Sequence, residues 1–178
     1  MKARVPTAAA FLAAAALIAS PAAAQRPCLT GPEAESLALV ALPEIIRETG
    51  RVCEAQLPEA SLIRRAEGPL IAKYQAAADR AWPAARSAIV KLSDPAVSLL
   101  LQSEYARPVL TSLIVPQIVG RIDLADCGTI DRLVTLLEPL PPRNTAGVVV
   151  TVLQYLKADE ARGGGTSVPD LPICPARP

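Results

Sequence analysis

The sequence predicts an all-α protein: a single compact domain of about six or seven helices, several kinked by proline, stapled by two disulfides and preceded by a cleaved leader. Three observations carry this reading. Apolar residues recur at helical spacing in successive segments, start signals stand ahead of those segments, and four cysteines all follow a stretch built like an export signal.

The leader comes first in chain order. Lys2 and Arg4 supply a positive patch, Phe11 to Ala19 an apolar stretch, and Ala22, Ala23 and Ala24 a small-residue cleavage pattern, so residues 1–24 read as a signal peptide cut between Ala24 and Gln25. The apolar stretch is shorter than the ~20 residues of a membrane span. No later segment reaches that length without a charge or a proline, so no transmembrane anchor is expected in the mature chain. Gln25, Arg26 and Pro27 ahead of Cys28 do not suit lipid attachment. Removing 24 residues from 178 leaves 154, enough for one ordinary core: residues 25–162 as the helical domain and 163–178 as a Gly/Pro-rich tail tied by Cys174.

Within the domain, Thr30 ahead of Pro32 and Glu33, Asp94 ahead of Pro95, Thr129 ahead of Asp131, and Asn144 ahead of a long apolar run each place an oxygen cap at a helix start. From Pro69 to Leu92, the residues Ile71, Tyr74, Ala78, Trp82, Ala85 and Ile89 form one stripe. Val97, Leu100 and Leu101 repeat the spacing, as do Leu110, Leu113, Ile114 and Ile118. Ile130, Leu133, Val134 and Leu137, then Val149, Val152, Leu153 and Leu156, follow the same template. Residues 148–152 are β-branched enough for a strand, yet the pattern runs on to Arg162 before three glycines stop it, so helix is preferred. Pro43, Pro83 and Pro116 fall inside helical patterns and predict kinks or breaks. Loops read as short except for residues 139–143 and the tail, whose glycines and prolines suit no packed element.

Cys28, Cys53, Cys127 and Cys174 are even in number and sit in a chain addressed to an oxidising compartment, so two disulfides are expected. A helix from Pro32 to Thr49 spans ~27 Å, whereas bridged Cα atoms lie within ~7 Å. Cys28 and Cys53 stand at its two ends, which disfavours joining them. Of the remaining connectivities, Cys28–Cys174 with Cys53–Cys127 ranks above Cys28–Cys127 with Cys53–Cys174, because chain ends tend to lie near one another.

Composition removes several function classes. Without Lys2 and Arg4 there are 16 basic residues against 17 acidic, a formal charge of −1 that argues against nucleic acid as partner. The one basic doublet, Arg64-Arg65, reads as a solvated helix face. The chain has no histidine, which closes Ser-His-Asp and Cys-His catalysis and the usual zinc sets; no metal or other cofactor is expected.

Two constellations remain. Asp123, Asp126 and Asp131 surround the loop carrying Cys127 and would serve a glycosidase if one were held protonated and another ionised, but they read better as turn and first-turn residues. Gln75, Asp79, Trp82 and Arg86 share a stripe on the long helix, where Arg86 would stack on Trp82 or pair with Asp79. They are the candidate binding residues, although any amphipathic helix has such a border. The polar run Gln102 to Arg107 reads as a helix end with a turn. Trp82 itself reads as a core residue whose replacement by alanine costs ~3–5 kcal/mol. The leading expectation is a non-enzymatic periplasmic or secreted module binding a protein or apolar ligand. A carboxylate-dependent hydrolase of envelope glycan and a purely structural envelope protein are the alternatives.

Overall fold

The architecture follows from two long helices that pack side by side and carry everything else. The computed structural model describes residues 27–165, 168 and 171–175, so the expected leader and the expected start at Gln25 lie outside the described residues. Six α-helices are present: α1 (Gly31–Val52), α2 (Pro69–Leu92), α3 (Pro95–Leu100), α4 (Ala106–Val119), α5 (Cys127–Leu137) and α6 (Pro142–Ala161). Single 3-10 turns follow α1 and precede α5, at Glu54–Gln56 and Leu124–Asp126. Among the described residues there is no β-strand, only an isolated parallel bridge between Leu29 and Ile173.

Helix α1 starts where its capping signals stand. The Thr30 N–H and hydroxyl both donate to the Glu33 carboxylate, at 2.7 and 2.9 Å, while Pro32 occupies the first turn where no backbone donor is needed. Asp94 likewise accepts from the Ala96 N–H at 3.0 Å and opens α3. Helix α2 instead begins behind Gly68, whose φ of 128° is open to glycine and strained for other residues.

Two starts differ from the sequence reading. Asp123, not Thr129, accepts the capping N–H (Ala125, 2.9 Å), so helical backbone begins earlier and Thr129 lies within the first turn of α5. Pro142, not Asn144, begins α6, because its fixed φ suits a first helical position. Pro43, Pro83 and Pro116 all lie inside continuous helices, so none of them breaks a helix.

Helices α1 and α2 run antiparallel: Lys91 near the end of α2 pairs with Glu33 at the start of α1, 2.8 Å apart. Their seam is dominated by small side chains on α2 (Ala77, Ala78, Ala81, Ala85 and Ala88), which let Leu39, Val40, Leu42 and Ile46 of α1 approach closely. Helix α6 lies against both, and the buried Tyr74 hydroxyl donates to Thr145 across that junction at 3.0 Å. Helix α4 docks on α1 through Val115 and Val119.

The Glu33–Lys91 pair closes the open end of the α1/α2 seam and makes it acid-sensitive. The Lys91 ammonium first, and the Thr30 N–H second, lower the Glu33 carboxyl from 4.5 to about 2. A carboxylate stronger in the folded state adds stability above its unfolded value and loses it as pH falls toward its folded value. The pair is at the surface, so screening holds its worth to about 1 kcal/mol. Glu33→Gln should therefore lower the urea midpoint at neutral pH, and the two proteins should converge as pH falls from about 5 to about 2. A constant difference across that range would contradict the assignment.

The cysteines pair as Cys28–Cys174 and Cys53–Cys127, with Cα separations of 5.1 and 5.5 Å. This is the one of the two connectivities left open by the span of α1 that the nearness of chain ends ranks first. The tail is better packed than its composition suggests. Leu29 N–H donates to Pro172 O at 2.7 Å, Cys174 N–H to Leu29 O at 2.8 Å, and Ile173 packs against Leu29, Ala34 and Val150. Gln154 adds a donor to Cys174 O at 3.1 Å.

One long connection is absent from the sequence reading: residues 57–68, between the first 3-10 turn and α2, carry no helix or strand, yet bury Leu57, Ser61 and Ile63. The Arg64-Arg65 doublet lies there rather than on a helix face. Arg64 donates to Leu57 O at 2.9 Å and pairs with Glu54, and Arg65 donates to Ala60 O, so both brace the loop.

Candidate functional site

Helix α4 determines where a cavity opens. Its sequence from Ala106 to Val119 carries one charge, Arg107, and is mostly apolar apart from Thr111, Ser112 and Gln117, a composition close to that of a buried helix. Yet only Ala106, Val115 and Val119 are buried, because α4 leans on α1 along one edge and stands off from α2. The wedge left between α1, α2 and α4 is an open groove of about 1040 Å³.

Its apolar lining comes from Val40 and Pro43 of α1, Trp82 of α2, and Val115, Pro116 and Val119 of α4. Its polar lining comes from Glu44, Glu48, Gln75, Glu104, Arg107 and the hydroxyls of Thr111 and Ser112. At one end an ion pair bridges α2 and α4: Arg107 Nη1 donates to Asp79 Oδ1 at 2.5 Å, and Gln75 Nε2 donates to the same oxygen at 3.2 Å. The guanidinium first, and the amide after it, hold the Asp79 carboxyl below its ordinary value against the opposing effect of desolvation. On the α1 side, Glu44 pairs with Arg47 at 2.5 Å and Glu48 with Arg51 at 3.2 Å.

The four residues of the expected polar stripe are divided by this geometry. Gln75 and Trp82 line the groove, and Asp79 stands at its edge as the anchor for Arg107. Arg86 is exposed outside the lining, and the cation on Asp79 is Arg107, 28 residues on, rather than Arg86. Trp82 is half-buried, packed on the core by one side and open to the groove by the other. The cost of Trp82→Ala is therefore about 1–2 kcal/mol, below the range of a fully buried aromatic. Glu104 and Arg107 lie in the stretch read as a plain helix end. Glu104 stands in the turn before α4 and Arg107 in its first turn, and nothing in their sequence spacing marks them as bordering a cavity.

The aspartates around Cys127 do not converge on a reactive centre. Asp123 caps the 3-10 turn, Asp126 is exposed at the start of α5, and Asp131 accepts from the Ser61 hydroxyl at 2.5 Å, fastening α5 to the 57–68 loop. None lines the large groove or the smaller one of about 520 Å³ between Leu39, Ala81 and Arg143. Within the large groove the hydroxyls are committed to helix backbone: Thr111 donates to Arg107 O and Pro108 O, and Ser112 to Val109 O.

Outside the groove, α3, α4 and the turn between them expose Leu99, Leu100, Tyr105, Val109 and Leu113, each more than half accessible. Tyr105, Val109 and Leu113 are four residues apart and form one stripe, flanked by Ser112 and Pro116 of the groove lining. Val148, Val152 and Tyr155 expose a shorter stripe on α6, and Leu133 and Leu136 stand out on α5, so four residues of the apolar stripes read from the sequence, Leu100, Leu113, Leu133 and Val152, face solvent. Among the described residues no single helix is long and apolar enough to cross a membrane; Ala106–Val119 with Leu124–Leu137 meets that test only as a pair bent by 90°. Comparison with protein-family models, curated proteins and solved structures finds no match.

Proposed function

We propose that this chain is an exported, non-enzymatic binding module that works in the periplasm or outside the cell, starts at Gln25 after loss of residues 1–24, and holds a protein segment or apolar ligand in the groove between α1, α2 and α4. The observation that carries the reading is the groove itself: about 1040 Å³, with an apolar lining centred on Trp82 and flanked by a helix that leaves Tyr105, Val109 and Leu113 exposed. Apolar surface concentrated beside a concave site marks a ligand or partner position. Two disulfides fit an oxidising compartment, which supports export. An exported chain whose intact mass still includes residues 1–24 would remove that part of the reading.

The test of the groove uses an uncharged naphthylamine dye with the mature protein. Trp82 is the only tryptophan, so excitation passed from it to bound dye reports proximity to the groove. Ser112→Trp, on the exposed lining, should block the groove and weaken dye binding about tenfold or more, with the helical circular dichroism unchanged. Trp82→Ala should also weaken binding, detected by dye emission alone, beside its modest stability cost. Unaltered dye binding in both variants would place the apolar site elsewhere and end the proposal.

A further inference from the structure

We infer that the groove's occupant is a cationic amphipathic helix of a partner protein, an inference that rests on the groove being the binding site. The lining carries three carboxylates, Glu44, Glu48 and Glu104, against one cation, Arg107. That cation is already committed to Asp79 at 2.5 Å. Arg47 and Arg51 offset Glu44 and Glu48 along α1 without entering the lining, while Glu104 has no ion pair among the described residues. The groove therefore presents an apolar floor with carboxylates on both flanks: Glu44 and Glu48 from α1, each ion-paired along that helix, and Glu104, without an ion pair among the described residues, from the turn before α4.

This charge pattern selects among apolar occupants. A fatty acid or other anionic amphiphile would set its head group against these carboxylates, and an anionic bilayer would be repelled by the same side chains. A helix with leucine-like residues on one face and lysine or arginine on its borders satisfies both requirements at once. Its apolar face covers Trp82, Val115 and Pro116, and its cations meet Glu48 and Glu104 across the groove. The exposed Tyr105, Val109 and Leu113 stripe continues the apolar surface past Ser112 and Pro116, which extends the area a helix about 10 Å wide can cover.

The experiment titrates mature protein with two model peptides that share a leucine face and differ only in having lysine or glutamate on the polar face, read by Trp82 emission and by displacement of the uncharged dye. The lysine peptide should bind at least about tenfold tighter than the glutamate peptide and lose about tenfold in affinity between about 0.05 and about 0.5 M salt. Combined Glu44→Gln, Glu48→Gln and Glu104→Gln should remove about tenfold of the lysine peptide's affinity, from several partly exposed pairs. Glu104→Lys alone, in an exposed turn, should reduce it with the fold intact.

Equal, salt-insensitive binding of both peptides would overturn the charge selection and leave the groove as the site. Binding of the dye but of neither peptide would overturn the helix and point to a small apolar ligand. A Trp82 signal that changes with protein concentration alone would make a second copy the occupant, and binding to lipid vesicles in place of peptide would make it a bilayer; either overturns the inference. Loss of both dye and peptide binding would instead remove the groove reading on which it rests.

Discussion

Replacing Cys53 and Cys127 together with alanine is expected to lower the unfolding free energy by about 4 kcal/mol, because their bond closes a loop of 74 residues in the unfolded chain. The effect should concentrate on α5. That helix buries only Cys127; Ile130 and Val134 are half-buried on the core, and Asp131 is fastened by Ser61. Without the bond, α5 holds on by the partial contacts of Ile130 and Val134 and by two side-chain hydrogen bonds, Ser61 to Asp131 and Lys73 to Glu138 O at its end, too little for a helix of three turns to survive independently. Amide exchange of the α5 backbone should accelerate well beyond the change in α1 and α2, while a chemical-denaturation midpoint reads the global loss. Uniform acceleration across all helices would show that α5 is held by more than this bond. The groove, built from α1, α2 and α4, should keep its dye binding in the variant as long as the protein stays folded.

How far the sequence reveals this molecule depends on the range of each signal. Starts set by neighbours in the chain, such as Thr30 with Glu33 or Asp94 with Ala96, are legible because both partners lie within a few residues. The α2 stripe is legible because Ile71, Tyr74, Ala78 and Ala85 share one spacing and all are buried. The rigidity of α1 disfavours joining Cys28 to Cys53, a long-range consequence of a local property, while the choice between the two remaining pairings rests only on the closeness of chain ends. What stays hidden is set by docking. Helix α4 has apolar residues on more than one face, so the spacing of Leu110, Leu113, Ile114 and Ile118 selects a face that docking does not bury: Val115 and Val119 turn inward and Leu113 stays exposed. Asp79 meets Arg107 across two helices, whereas spacing suggests the local Arg86. The 57–68 loop has no periodicity to detect, yet Ile63 is 1% exposed.

That loop underlies the remaining large effect: Gly50→Ala is expected to destabilise the protein by about 3 kcal/mol, whereas Gly128→Ala should be neutral or stabilise by about 0.5 kcal/mol. Both glycines lie within helices, where alanine is intrinsically preferred, so the difference in sign isolates the packing. A Cβ at Gly128 meets nothing within 4 Å. A Cβ at Gly50 would stand 1.8 Å from Ile63 O and 2.7 Å from Ile63 C, and the obstacle is backbone rather than a flexible side-chain tip. The loop would have to lift from α1, withdrawing Ile63 from the core and loosening Ala66 O from Arg47 Nε, now 3.2 Å away. Arg47 is the partner of Glu44 on the groove lining, so the displacement should reach the site as well. Urea midpoints of the two variants give the stability difference, and titration of the uncharged dye reads the second consequence as weaker binding. Equal stabilities for Gly50→Ala and the parent protein would mean that the loop does not rest on α1 at Gly50.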